Sequence, residues 1–286
     1  MLGRRSTFWL LSVPPLLWLL VFFAAPLLLM GAISLSGDVS GALFNLSNPT
    51  VDQYRIVLGE AGYLRLLGIS VLMALGVGLI ATALAFPIAY FLTFRAGRRA
   101  GFYLVLLLVP FWTSYLLRVM AWKLMLGSEG VVNSFLEWAR VIQSPLEFLL
   151  YNRGTVVITL IYVWIPFAVL PIYAAMTRID RPLLEAAADL GAGPWARFGR
   201  VTMPLALPGA IAAFFMVFIP TVGEYVTPLL VGGSSGSMYG NLVQDFFTKA
   251  ANWPLGAALA IVMLVLTLVL VAVAVRLIDV RRFATL

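Results

Sequence analysis

Glu224 is the one acidic residue that falls inside an apolar run long enough to cross a membrane, between Pro220 and Pro228. A carboxylate at such depth is costly, so its default role is functional. Tyr225 adjoins it, Trp112 and Tyr115 sit in another apolar run, and Asp245 belongs to an outer loop. Carboxylates hold ammonium groups, while aromatic faces cover methylenes and attract cations. The set Glu224, Tyr225, Trp112, Tyr115 and Asp245 therefore suits a path for a flexible organic cation. Two other roles for Glu224 stand beside that one. Arg118, the one arginine inside an apolar run, is a candidate partner for a structural ion pair, and an outer position in water would leave Glu224 with neither task. For Trp112, Tyr115 and Trp164 the competing role is packing or anchoring at the membrane interface.

A second constellation lies in residues 177–207, a loop too long and too patterned to be a plain connection. Asp180 is placed as an N-cap and Pro182 in a first turn. Leu183, Leu184, Ala187, Ala188 and Leu190 follow at helical spacing, and Gly191 is placed to end the helix in the left-handed conformation. Gly193-Pro194 permits a turn, and Pro194 opens a second short helix through Phe198 to about Thr202. Pro204 and Pro208 are expected to break the chain before it re-enters the membrane. Glu185 and Asp189, at i and i+4, give an acidic edge, and the alanines permit close approach of another backbone. The competing role is an amphipathic helix that anchors the bundle at the membrane surface.

The missing residue types exclude other chemistry. The chain has no cysteine and no histidine, so disulfides, thiolate catalysis, imidazole metal sites and histidine proton relays are ruled out. No metal site or cofactor is expected. The two lysines, Lys123 after Trp122 and Lys249 after Thr248, do not form the Gly-Lys-Ser/Thr of a phosphate-cradling loop, so the chain does not hydrolyse ATP by that route.

The elements that must hold these residues follow from composition. Of 286 residues 62% are hydrophobic and 11% charged, with a mean hydropathy of +1.02. A soluble domain has about 25% charged residues, so a soluble enzyme is excluded. Uninterrupted apolar runs argue against barrel strands. The expected fold class is an all-α polytopic membrane protein with six transmembrane helices, at about residues 8–34, 66–94, 101–126, 154–176, 208–231 and 255–278. The first run follows Arg4-Arg5 and is too long for a signal peptide, so it reads as a retained anchor, made irregular by Pro14, Pro15 and Pro26. Residues 1–60 form that anchor and an outer loop, and residues 61–286 a five-helix core. Straight helices at about 1.5 Å per residue put Arg118 and Glu224 at similar heights, roughly 25 Å above the inner edge.

Charge sets the orientation. Arg4, Arg5, Arg95, Arg98, Arg99, Arg178, Arg181, Arg197, Arg200, Arg276, Arg281 and Arg282 fall on one side, against Asp180, Glu185, Asp189 and Asp279. The other side carries Asp38, Asp52, Glu60, Glu129, Glu137, Glu147 and Asp245, with fewer basic residues. The positive-inside rule makes the first side cytoplasmic, both termini included. The net charge of +7 is thus topology, and no nucleic-acid partner is expected.

Glu185-Ala186-Ala187, then Gly191 six positions after the glutamate, then Val201-Thr202-Met203-Pro204 resemble the EAA motif of ABC-importer permeases, with Met203 where leucine is more usual. Finer stretches resemble the spermidine/putrescine permease group: Pro110 to Trp122, Gly130-Val-Val-Asn133, Phe218 to Val226, Asn241 to Phe247 and Trp253-Pro-Leu-Gly256. The resemblance implies a type I ABC-importer permease fold of the bacterial inner membrane, with a cytoplasmic coupling helix in loop 177–207. It assigns ATPase coupling to Glu185, Ala186, Ala187, Asp189, Gly191 and Pro204. It also implies alternating-access import of polyamines with two cytoplasmic ATPase subunits, a second homologous permease subunit and a periplasmic substrate-binding protein. Relatives in this group also carry opines, aminoalkylphosphonates or ferric ion, so those substrates stay open. An ion-coupled secondary transporter would need several buried titratable groups and inverted repeats, and a membrane enzyme a catalytic cluster. The sequence has neither pattern.

Overall fold

The computed structural model describes residues 4–37 and 49–277, with side chains described from Leu11 onward. The side chains of Arg4, Arg5 and Trp9, and all of Asp38, Asp279, Arg281 and Arg282, lie outside the described residues. Helix α1 joins Arg4–Leu19, a π turn at Leu20–Ala24 and Ala25–Ser34. Then come α2 (Asp52–Gly59), α3 (Ala61–Phe94), α4 (Gly97–Trp112), α5 (Tyr115–Leu126), α6 (Val131–Trp138), α7 (Arg153–Met176), α8 (Arg181–Asp189), α9 (Pro194–Val222), α10 (Tyr239–Thr248) and α11 (Trp253–Leu277). Five of the described helices are long and apolar enough to cross a membrane, and a sixth crossing results if one bent pair counts as a single span. The all-α, six-span class is thus the observed one.

Two expectations need correction. The third span is not one helix over 101–126: α4 and the α5–α6 segment meet at 87°. Pro110 tightens Val109–Trp112 into a 3₁₀ turn, Thr113 Oγ1 donates to the Pro110 carbonyl at 2.6 Å, and Thr113 and Ser114 then run extended. A straight-helix height for Arg118 therefore does not hold. Nor do Pro204 and Pro208 break the chain, because α9 runs unbroken from Pro194 to Val222. Proline lacks the N–H for the bond to residue i−4, and its ring crowds that carbonyl. The π turn Phe198–Thr202, just ahead of Pro204, widens the helix where the crowding would fall. Leu20–Ala24 stands in the same relation to Pro26.

The described chain divides into two compact units, Leu66–Asn241 with the stretch from Thr267 on, and the segments up to Arg65 with Leu242–Leu266. In the first, Val77, Ala81, Ala85 and Ala89 place one residue per turn of α3 in the core, with Leu160, Val169, Ile172 and Met176 of α7 and Ala206, Ala213 and Val217 of α9. Helices α7 and α9 come close at Gly209, where a Cβ would stand 2.5 Å from the Pro171 carbonyl oxygen and 2.6 Å from the Ala175 Cβ. Such contact needs a residue without a side chain, and close backbone approach is how membrane helices gain packing energy. In the second unit Tyr54 and Ser34 share a hydroxyl hydrogen bond of 2.6 Å, and Tyr63 meets Phe246 edge to face.

Candidate functional site

The fifth span is interrupted where the sequence placed its carboxylate. Helix α9 ends at Val222, residues 223–225 are non-helical, and helical turns resume at Val226 and continue through the π turn Pro228–Gly232. A helix that restarts inside the protein exposes unpaired N–H donors and the positive end of its dipole. Glu224 Oε1 answers both, accepting from the amides of Tyr225 (3.1 Å), Val226 (2.9 Å) and Thr227 (3.2 Å). The carboxylate is buried at 9% exposure. Asn241, at the head of α10, clamps the same break, since its Nδ2 donates to the Tyr225 carbonyl at 2.8 Å and its Oδ1 accepts from the Met238 amide at 3.0 Å.

Helix α5 brings the third span to this break. Tyr115, one residue past the extended Thr113-Ser114 joint, shares a 2.6 Å hydroxyl hydrogen bond with Thr227. One turn on, Arg118 is 8% exposed, with its guanidinium 4.4 Å from the Phe111 ring centroid and 5.8 Å from that of Tyr115. Its Nε has no hydrogen-bond partner. Glu224 and Arg118 both lie within electrostatic reach of the Tyr115 hydroxyl. Among the described residues no ion pair joins them, so the pairing considered from the sequence is not made in this conformation. Phe111 in turn meets Phe167 at 4.1 Å, and Trp164 packs on Phe167 with its indole Nε1 buried and unpartnered.

Glu224, Tyr225 and Tyr115 thus lie together around the break. Trp112 ends α4 at 77% exposure. Asp245 is not in a loop but on α10, paired with Lys249 at 2.8 Å in an i,i+4 bridge, and it belongs to the other unit. Sequence reasoning missed Thr227, Asn241 and Phe111 as parts of the site. Phe111 and Asn241 lie in stretches that resemble the permease group, but their residue types gave no chemical signal of a role, and nothing local marks Thr227.

The 177–207 segment forms a separate exposed element. No residue of α8 is buried, and Glu185, Ala186 and Asp189 face solvent while Ala187 is half-buried. Leu184 packs against the core from the same helix. Gly191 has φ +82°. The Ala192 amide donates to the Ala187 carbonyl at 3.0 Å and the Gly191 amide to Ala188 at 2.9 Å, the paired closure of a Schellman cap. Asp180 holds the N-cap position, but its side chain makes no capping hydrogen bond. Pro204 is exposed on the first turns of α9. Leu190 and Trp195, 89% and 86% exposed, are large apolar residues turned outward beside the cap, a feature the sequence pattern did not reveal. Beneath Trp195 a cavity of about 530 Å³ opens between α3 and α9, walled by Phe86, Pro87, Tyr90, Phe198 and Met203. Among the described residues no group of carboxylates could hold a metal ion.

A family model described as "Binding-protein-dependent transport system inner membrane component" matches residues 1–283. The chain belongs to this family. This inner-membrane transport component is 36% identical over 247 residues to the spermidine/putrescine transport system permease protein PotB of Escherichia coli (strain K12), covering 86% of this chain and 88% of the relative. It is 32% identical over 268 residues to the inner membrane ABC transporter permease protein YdcU of the same organism, covering 88% and 84%. Its fold matches a chain of a bacterial alginate ABC transporter, solved in complex with an alginate pentasaccharide-bound periplasmic protein, with a TM-score of 0.77 over 98% of this chain and 96% of that one. At 16% identity that likeness establishes the fold alone. The component is accordingly an inner-membrane permease subunit of the ABC-importer type.

Proposed function

We propose that this permease carries polyamines, putrescine or spermidine, into the cytoplasm as one subunit of an ATP-driven importer. The observation that carries the substrate is the 36% identity to the spermidine/putrescine permease of E. coli over 86% of the chain. The chemistry around Glu224 supports it, because a buried carboxylate beside Tyr225 and Tyr115 suits an alkyl diamine or triamine.

Two cytoplasmic ATPase subunits supply the energy, since this chain has no phosphate-cradling loop. They dock on α8, and Glu185, Ala186, Ala187, Asp189, Gly191 and Pro204 transmit their closure. The exposure of α8 and the rigid cap at Gly191 support this role. A second, homologous permease completes the path, and a periplasmic binding protein delivers substrate to it. Residues 1–60 anchor the subunit, 61–286 form the transport core, and both termini face the cytoplasm.

The test is uptake of labelled putrescine and spermidine in the source cells with and without this gene. Uptake should be lost on deletion and return with the wild-type chain. Unchanged uptake in cells stripped of other polyamine importers would overturn the substrate assignment.

A further inference from the structure

Arg118 is more than nine-tenths buried, carries a permanent charge and, among the described residues, forms no ion pair. A buried charge is expensive unless another group compensates it. The company it keeps is aromatic, Phe111 and Tyr115, and its Nε is left without an acceptor. Glu224 and Arg118 both act on the Tyr115 hydroxyl, which bridges the two. Tyr115, one turn before Arg118, bonds to Thr227, whose amide is one of three held by Glu224 Oε1. Both helices are interrupted beside this bridge, at Thr113-Ser114 and at 223–225, so each charge sits next to a joint about which its helix can re-aim. Since Oε1 is engaged by the three amides, the second carboxylate oxygen is the one a cation would meet.

We propose that Arg118 is the resident counter-cation of the path. In the closed conformation of the path it pairs with Glu224. In the conformation seen here Arg118 rests on Phe111 and Tyr115 and leaves the carboxylate to an ammonium group. Guanidinium suits the exchange because it is always charged, weakly hydrated and stacks on aromatic faces. A solute without a cationic group cannot replace it, so Arg118 also selects for charge. The cationic nature of the substrate rests on the proposed function; the pairing itself does not.

The complete importer in vesicles tests this with Arg118→Gln, Arg118→Lys and Glu224→Gln. Two quantities are read: ATP hydrolysis without binding protein, and leak of labelled putrescine without ATP. Arg118→Gln should raise both by at least about fivefold, the lower end of a typical coupling energy. Arg118→Lys, which keeps the charge but not the stacking guanidinium, should fall between wild type and Arg118→Gln, and adding Arg118→Gln to Glu224→Gln should change little further. Wild-type hydrolysis and leak in a normally assembled Arg118→Gln importer would overturn the proposal, as would equal damage by Gln and Lys, which marks a packing role. If Arg118→Gln does not assemble, Glu224→Gln frees the same arginine and must raise hydrolysis alike. Should wild-type vesicles carry no putrescine, the substrate assignment falls while the hydrolysis comparison still decides Arg118.

Discussion

Gly191 separates a need for backbone conformation from a need for contact. Its φ is +82°, and a Cβ built there meets nothing within 4 Å. Any side chain therefore costs only the left-handed backbone, about 1–2 kcal/mol for alanine, little for asparagine, which visits that region readily, and more for β-branched valine. No residue of α8 is buried, so this strain falls on the loop and spares the core, and the melting temperature of the subunit should hardly move. A cost of 1–2 kcal/mol lowers the ratio of capped to uncapped loop by a factor of about 5–30. The assay is ATP-driven uptake by the reconstituted importer over a range of ATPase-subunit concentrations. Alanine should shift the half-saturating concentration upward by up to that factor, asparagine should stay close to glycine, and valine should be the worst. Coupling by Gly191→Val equal to that of glycine would refute the conformational argument. An asparagine variant as impaired as valine would refute it in another way, by showing that the partner needs a bare Cα.

Gly209→Val puts carbon into space already held by the Pro171 carbonyl and Ala175, neither of which can swing aside. Overpacking of this kind costs about 1–3 kcal/mol, visible as a lower melting temperature in detergent. Glu224→Gln keeps an oxygen for the three amides, whereas Glu224→Ala strands them. Alanine should cost about 1–2 kcal/mol more stability than glutamine, while uptake should fall in both if the carboxylate meets substrate. Asn133 is fully buried and joins the Gly127 carbonyl at 2.9 Å to the Leu146 amide at 2.8 Å. Asn133→Leu leaves the Leu146 amide unmet, while the Gly127 carbonyl keeps the Gly130 amide at 2.9 Å, and should cost about 1–3 kcal/mol in thermal unfolding.

The sequence by itself determined what depends on composition and local spacing. Apolar runs of spanning length specified a helical membrane protein, because only backbone bonded to itself survives in lipid. The Gly191 cap was equally local, since a glycine after a helical run with no side chain to strain adopts φ +82° wherever the rest of the molecule lies. The carboxylate itself was likewise visible, flanked by Pro220 and Pro228 inside an apolar run. Tertiary structure decided the rest. Pro204 could break α9 or be absorbed by a π turn, and the packing of α9 on α7 through Gly209 favours a continuous helix. Pro110 and Thr113-Ser114 could have stayed helical, yet the chain bends by 87° there. That bend sets Tyr115 against Thr227, 112 residues away, and leaves Arg118 on Phe111 rather than on Glu224. Such contacts join residues with no sequence relation, and their formation depends on where two interrupted helices come to rest, which no local periodicity encodes.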